Sequence, residues 1–193
     1  FAVTTGGMLR SFTWSLLSFP TGGDTTVRGS PTPPTSMTES FTPIIVGVYR
    51  IQVSAIDGLN QTRSCAFNVT ANSRGLRVEL TWNGTGDVDV HLHNNVSGAW
   101  FNAPNDCHYA NMNPSWGASQ DVDNITSNGP ENIRMNTPTL GQTYTVAVHN
   151  YARAVGRTAT VQIFCGSTTS TTPTRTFTSR PFTLRATGND ANH

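Results

Sequence analysis

The chain has 193 residues, a formal net charge of +1, 36% hydrophobic residues and 12% charged residues. So small a net charge provides no long-range field to gather nucleic acid or an anionic membrane, which argues against a polyanion as partner. A surface wetted by Thr, Ser and Asn rather than by charge suits a secreted or cell-surface β protein, and the length fits two domains of ordinary size.

No run approaches the roughly 20 consecutive apolar residues of a membrane-spanning helix, and Phe1 does not open a signal peptide. Phe1 in place of an initiator Met, and a Gly188 to His193 tail without a terminal strand, read as a processed or partial piece of a longer protein. All basic residues are Arg, a hint of a GC-rich genome.

Helical periodicity is missing, and the pattern predicts strands. Phe12, Trp14 and Leu16 alternate with polar neighbours, as do Tyr49, Ile51, Val53 and Ala55. Residues 20–43, rich in Thr, Ser, Gly and Pro, read as a long loop with at most an edge strand. Asp57-Gly58 supplies a turn before Cys65, Phe67 and Val69, so 47–71 predicts a hairpin. Asn72 to Gly75 reads as the domain boundary, separating residues 1–72 from 76–193. Leu76, Val78 and Leu80, the Asn83-Gly84 turn, and Val88, Val90 and Leu92 predict a second hairpin. A loop-rich stretch follows from Asn94 to Pro130. Strands are then expected over 144–149, 158–164 and 177–184, with a Ser/Thr turn over 167–174. The expected fold class is all-β, with two antiparallel β-sandwich domains in tandem.

Three cysteines without a CxxC motif favour a disulfide over a thiolate metal site. Cys107 and Cys165 share the C-terminal half and are the expected pair, leaving Cys65 to a partner upstream of Phe1.

Ser11-Phe12-Thr13-Trp14-Ser15, Phe41-Thr42-Pro43, Gly47-Val48-Tyr49-Arg50-Ile51-Gln52-Val53 and the Asp57-Gly58 turn together resemble the PKD (polycystic kidney disease) domain, over about the first 71 residues. That resemblance implies an immunoglobulin-like sandwich lacking one or two N-terminal strands. In the second half, Gly86-Asp87-Val88-Asp89-Val90-His91-Leu92, Asp106-Cys107-His108-Tyr109-Ala110-Asn111, Trp116-Gly117, Asp121-Val122-Asp123 and Gly129-Pro130-Glu131-Asn132-Ile133 resemble the YfaP-like domain of secreted bacterial proteins. Tyr144 to Tyr151 and the strand ending at Cys165-Gly166 extend the likeness. It implies a β-sandwich in an extracellular setting, often joined to other modules, and brings no catalytic mechanism.

Asp87, Asp89, Asp106, Asp121, Asp123 and Glu131 crowd one span of a chain that has only 11 acidic residues. Alternation along a strand projects Asp87 and Asp89 from one face, and Asp121 and Asp123 repeat the Asp-x-Asp spacing. Carboxylates brought this close repel unless a cation neutralises them. Calcium accepts irregular oxygen coordination, which Asn111, Asn124 and Asn132 could complete. The expected metal ligands are therefore Asp87, Asp89, Asp106, Asp121, Asp123, Asn124 and Glu131, although the spacing is not that of an EF-hand. Solvated turn-forming Asp residues are the competing explanation. His91 and His93, completed by His108 or His149, form a weaker zinc alternative. Trp82, Trp100, Phe101, Tyr109 and Trp116 gather around the same loops, most simply as core.

The function these features suggest is a non-catalytic binding or adhesion module whose calcium site stiffens its loops, with a cell-surface protein or carbohydrate as partner. Two alternatives stand beside it. One is a fibre subunit that self-assembles by strand addition, and the other is a metal-dependent secreted hydrolase or its accessory module.

Overall fold

The computed structural model describes residues 9–22, 35, 37–95, 98–152 and 155–182. Among them there is no helix, and so none long and apolar enough to cross a membrane. All strand pairing is antiparallel, in three sheets, and the all-β expectation holds. The chain divides into two compact units, Phe1–Thr21 with Thr25–Ala71, and Gly22–Asp24 with Asn72–His193.

In the first unit, β1 (Leu9–Ser18), β2 (Gly47–Asp57) and β3 (Thr62–Ala71) form one sheet in the order β1-β2-β3. The predicted hairpin is present: Val53 faces Cys65, and the Asp57 carboxylate closes the turn by accepting the Leu59 and Gln61 N–H groups at 2.9 Å. Where a sandwich of two layers is expected for residues 1–72, the described residues of this unit form a single sheet. The predicted 20–43 loop lies partly outside the described residues.

Ile45, Tyr49 and Ile51 are buried in this unit. The Tyr49 hydroxyl donates to the Ile45 carbonyl at 2.8 Å and accepts the Ile45 N–H at 3.1 Å, so one side chain satisfies both polar groups of a buried residue. Tyr49→Phe strands both groups. It should destabilise the unit by about 1–3 kcal/mol, read as a lower urea midpoint at unchanged slope.

The second unit contains β4 (Ser73–Trp82), β5 (Asp87–His93), β6 (Asp106–Cys107), β7 (Ser119–Gln120), β8 (Glu131–Met135), β9 (Thr145–Ala152), β10 (Ala159–Ser170) and β11 (Arg175–Thr178). Ser73 to Gly75, read as a polar boundary, belong to β4, and the expected turn at 167–174 starts late because β10 runs on to Ser170. The predicted 177–184 strand is corrected: β11 covers Arg175–Thr178, residues 179–182 are not strand, and 183–184 lie outside the described residues.

One sheet has the order β11-β10-β4-β8-β7 and the other β6-β5-β9. Leu76, Val78 and Leu80 of β4, Ile133 of β8 and Val161 of β10 share a core with Val88, Val90 and Leu92 of β5, giving a sandwich-like packing. The predicted second hairpin is corrected. β4 and β5 lie in different sheets, and the Asn83-Gly84 turn carries the chain from one layer to the other. Asn83 Oδ1 accepts the Thr158 N–H at 2.6 Å and ties that crossing to the chain entering β10.

The Cys107–Cys165 disulfide is not formed: all three cysteines are free. Cys107 sits in the three-stranded sheet with its side chain in the core. Cys165 lies on β10 of the other sheet, opposite Leu76 and on the same strand face as Val161 and Ile163, and is exposed.

Candidate functional site

Strand β5 shows why the site exists. Val88, Val90 and Leu92 take one face into the core, so Asp89, His91 and His93 share the other. On a solvated sheet that second face would be open to water. Here Asp89, His91 and His93 are 2%, 0% and 6% exposed. The cover comes from the segment after β5, whose Phe101 ring lies 4.6 Å from His91 and whose Trp100 ring lies 5.5 Å from His93. Phe101 takes the left-handed conformation at φ 61° and donates its N–H to Asp106 Oδ2 at 2.8 Å. Trp116 Nε1 donates to the Pro104 carbonyl at 2.7 Å and pins the same segment from its far side.

Register assembles the polar groups. Asp89 stands directly opposite His149 on β9, and His149 Nδ1 lies 3.0 Å from Asp89 Oδ2. His93 stands opposite Asp106 on β6, while Asp106 Oδ2 is 2.8 Å from His91 Nδ1 and 3.8 Å from His108 Nδ1. The His91 and His108 rings stack, 5.1 Å between centroids and 9° from parallel. Burial holds His108 below the usual histidine pKa, against the opposing pull of Asp106.

Glu131 enters from β8 of the opposite sheet and is fully buried. β6 pairs with β5 only at Leu92 and His93, and beyond that point Glu131 Oε2 accepts the Val90 N–H at 2.8 Å. Glu131 Oε1 accepts the Asn124 N–H at 3.0 Å. Gly129, two residues earlier, sits at φ 80°, where a Cβ would come within 3.0 Å of both the Leu80 carbonyl and the Trp82 ring.

Asp89, Asp123 and Glu131 each bring a carboxylate oxygen within 4.8 Å of the others. Burial first, then the charge of Asp89, pushes Glu131 well above the usual carboxylate range, despite the two N–H bonds that favour its anion. The same two causes raise Asp123. Two further groups meet the same distance criterion, Asp89 with His91 and His149, and His91 with Asp106 and His108.

The expected ligands thus separate. Asp89, Asp123 and Glu131 converge, and Asp87 lines the same cleft with Asp89 and Asp123. Asp106 belongs with the histidines instead. Asp121 faces elsewhere: it accepts from Arg77 at 3.1 Å and lies 3.4 Å from Arg134. Arg77 and Arg134 are cross-strand partners, and like charges so placed need an anion between them. The strand alternation assumed for Asp121 and Asp123 fails because both follow the end of β7. Asn124 contributes through its backbone, while its side chain accepts from Ser127 N and Oγ at 3.1 and 2.6 Å. Asn111 Nδ2 donates to the Asp106 carbonyl at 2.8 Å, and Asn132 is buried on β8.

The cleft over these acids has a volume of about 430 Å³ and is walled by Tyr109, Tyr151, Ile125 and Thr126. Tyr151 was not singled out by the sequence, and His149 only as a possible zinc partner. Their placement follows from the β5–β9 register, which no local motif encodes.

No protein-family model, curated protein or solved structure matches the chain. The PKD-like and YfaP-like resemblances rest on the quoted motifs alone.

Two outcomes follow from this geometry. Burial and the adjacent Asp106 push the Cys107 thiol up to about 12, and its Sγ donates to the Met112 carbonyl at 3.5 Å. Iodoacetamide on the native chain should therefore label the exposed Cys65 and Cys165 and spare Cys107 until denaturant is added, as mass spectrometry of the peptides can show. The second outcome concerns pH. A raised Glu131 costs nothing below its unfolded value near 4.5, and its cost grows as pH rises from there toward the folded value. In chelator, stability should fall as pH increases through that window, and Glu131→Gln should flatten the fall in urea titrations run at stepped pH.

Proposed function

We propose that the second unit is a non-catalytic, extracellular binding module in which calcium sits on Asp89, Asp123 and Glu131 at the floor of the tyrosine-walled cleft. The observation carrying this reading is the convergence of three carboxylates from β5, the segment after β7, and β8. All three donors are oxygen, which favours a hard cation, and calcium takes six to eight oxygens in flexible geometry. Burial, and after it the repulsion from Asp89, lifts Asp123 and Glu131, and a divalent ion in place of a proton offsets both.

Calcium in this position ties the segment bearing Asp123 to both sheets and leaves coordination sites turned toward the cleft. A surface protein or carbohydrate offering hydroxyl or carboxylate oxygens can fill them, with Tyr109 and Tyr151 as apolar walls. The extracellular setting is supported by the low charge and the Thr-, Ser- and Asn-rich composition.

Differential scanning calorimetry tests the reading. Calcium at a hundredfold excess over Kd adds about 2.7 kcal/mol, which raises the Tm by roughly 5–10 °C above the value in chelator. Asp123→Ala, at an exposed position, should abolish that rise, and Asp121→Ala should keep it. Identical melting curves with and without calcium would overturn the proposal.

A further inference from the structure

The histidine-rich end of the same sheet face calls for a separate explanation. His91, Asp106 and His108 are 0%, 0% and 3% exposed, and each brings a donor atom within 4.8 Å of the other two. An Asp–His hydrogen bond accounts for part of this arrangement, since His91 Nδ1 and the Phe101 N–H both reach Asp106 Oδ2 at 2.8 Å. It leaves the other oxygen unexplained. Asp106 Oδ1 is buried and has no hydrogen-bond partner among the described residues. A fully buried carboxylate with one oxygen unsatisfied is costly, and such groups are normally paired or bound to a metal.

We infer that His91, Asp106 and His108 form a second cation site, of the nitrogen-bearing kind that selects zinc or a similar borderline metal over calcium. Two imidazoles and one carboxylate make a common zinc donor set. In a tetrahedral site with bonds of about 2.0–2.2 Å the donors stand roughly 3.3–3.6 Å apart, and Asp106 Oδ2 already lies 2.8 and 3.8 Å from the His91 and His108 Nδ1 atoms. Calcium disfavours this set because two of its three donors are nitrogen.

The backbone around the site is already braced. The Asp106 carbonyl takes the Asn111 side-chain amide at 2.8 Å, and the Phe101 ring closes over His91 and His108 at 4.6 and 5.5 Å. Asp106 and His108 lie beyond the covering segment and His91 lies on β5, so a metal shared by them clamps that segment onto the sheet. The inference uses none of the calcium-reading residues Asp89, Asp123 and Glu131, and it stands or falls separately.

Cobalt(II) serves as a spectroscopic stand-in for zinc. The whole chain, freed of metal by chelator, should take up one cobalt with the visible absorption of a low-coordinate nitrogen and oxygen site. Zinc should displace that band and excess calcium should leave it intact. His108→Gln should weaken cobalt binding by more than roughly 100-fold, since loss even of an outer-shell partner costs 10–100-fold. Asp106→Asn should act in the same direction. Protection of Cys107 from alkylation shows in each case that the variant is folded. A folded wild-type chain with no cobalt band overturns the inference, as does a folded His108→Gln chain that binds cobalt as tightly as wild type.

Discussion

The second unit is organised by a polar row on the wrong side of a strand. β5 buries its apolar face in the sandwich core, as any strand of a two-layer fold does, but its opposite face is also shut away from water. Asp89 and His91 cannot be left unsolvated without partners, because burying polar groups alone costs several kcal/mol each. His149 across the ladder and Asp106 from β6 supply those partners. The left-handed Phe101, the Trp116–Pro104 contact and the reach of Glu131 between sheets can all be understood as ways of closing over this row or compensating it.

That arrangement also explains why the carboxylates fall into different roles. Asp121 and Asp123 are two residues apart, yet one answers a pair of facing arginines and the other joins Asp89 and Glu131. Asp106 is claimed by histidines and by the covering segment. Crowding along the sequence is therefore a poor guide to crowding in space here.

The strands themselves were legible wherever apolar and polar residues alternate, as in Tyr49 to Ala55 and Leu76 to Leu80. β8 was missing from the expected strands because Glu131 and Asn132 are buried polar residues, which break the apolar alternation that marks a strand. The turn at Asn83-Gly84 was legible as a turn but not as a crossing between layers, since the same dipeptide serves both. Asp89, Asp123 and Glu131 were all found from their chemistry, whereas the partnership of Asp89 with His149 depends on a register set 60 residues away. The expected disulfide failed for a packing reason: the two cysteines sit in different sheets of one domain, Cys165 exposed on β10 and Cys107 buried as a small core residue.

Glu131 belongs to one layer and bonds the backbone of the other. Apolar contacts between sheets tolerate sliding, since many neighbouring arrangements bury similar area. A carboxylate that must reach a single amide of β5 tolerates very little. At this end of the sandwich the gap between layers is thus gauged by the length of one side chain, and the shorter aspartate would draw the sheets together or let go of Val90.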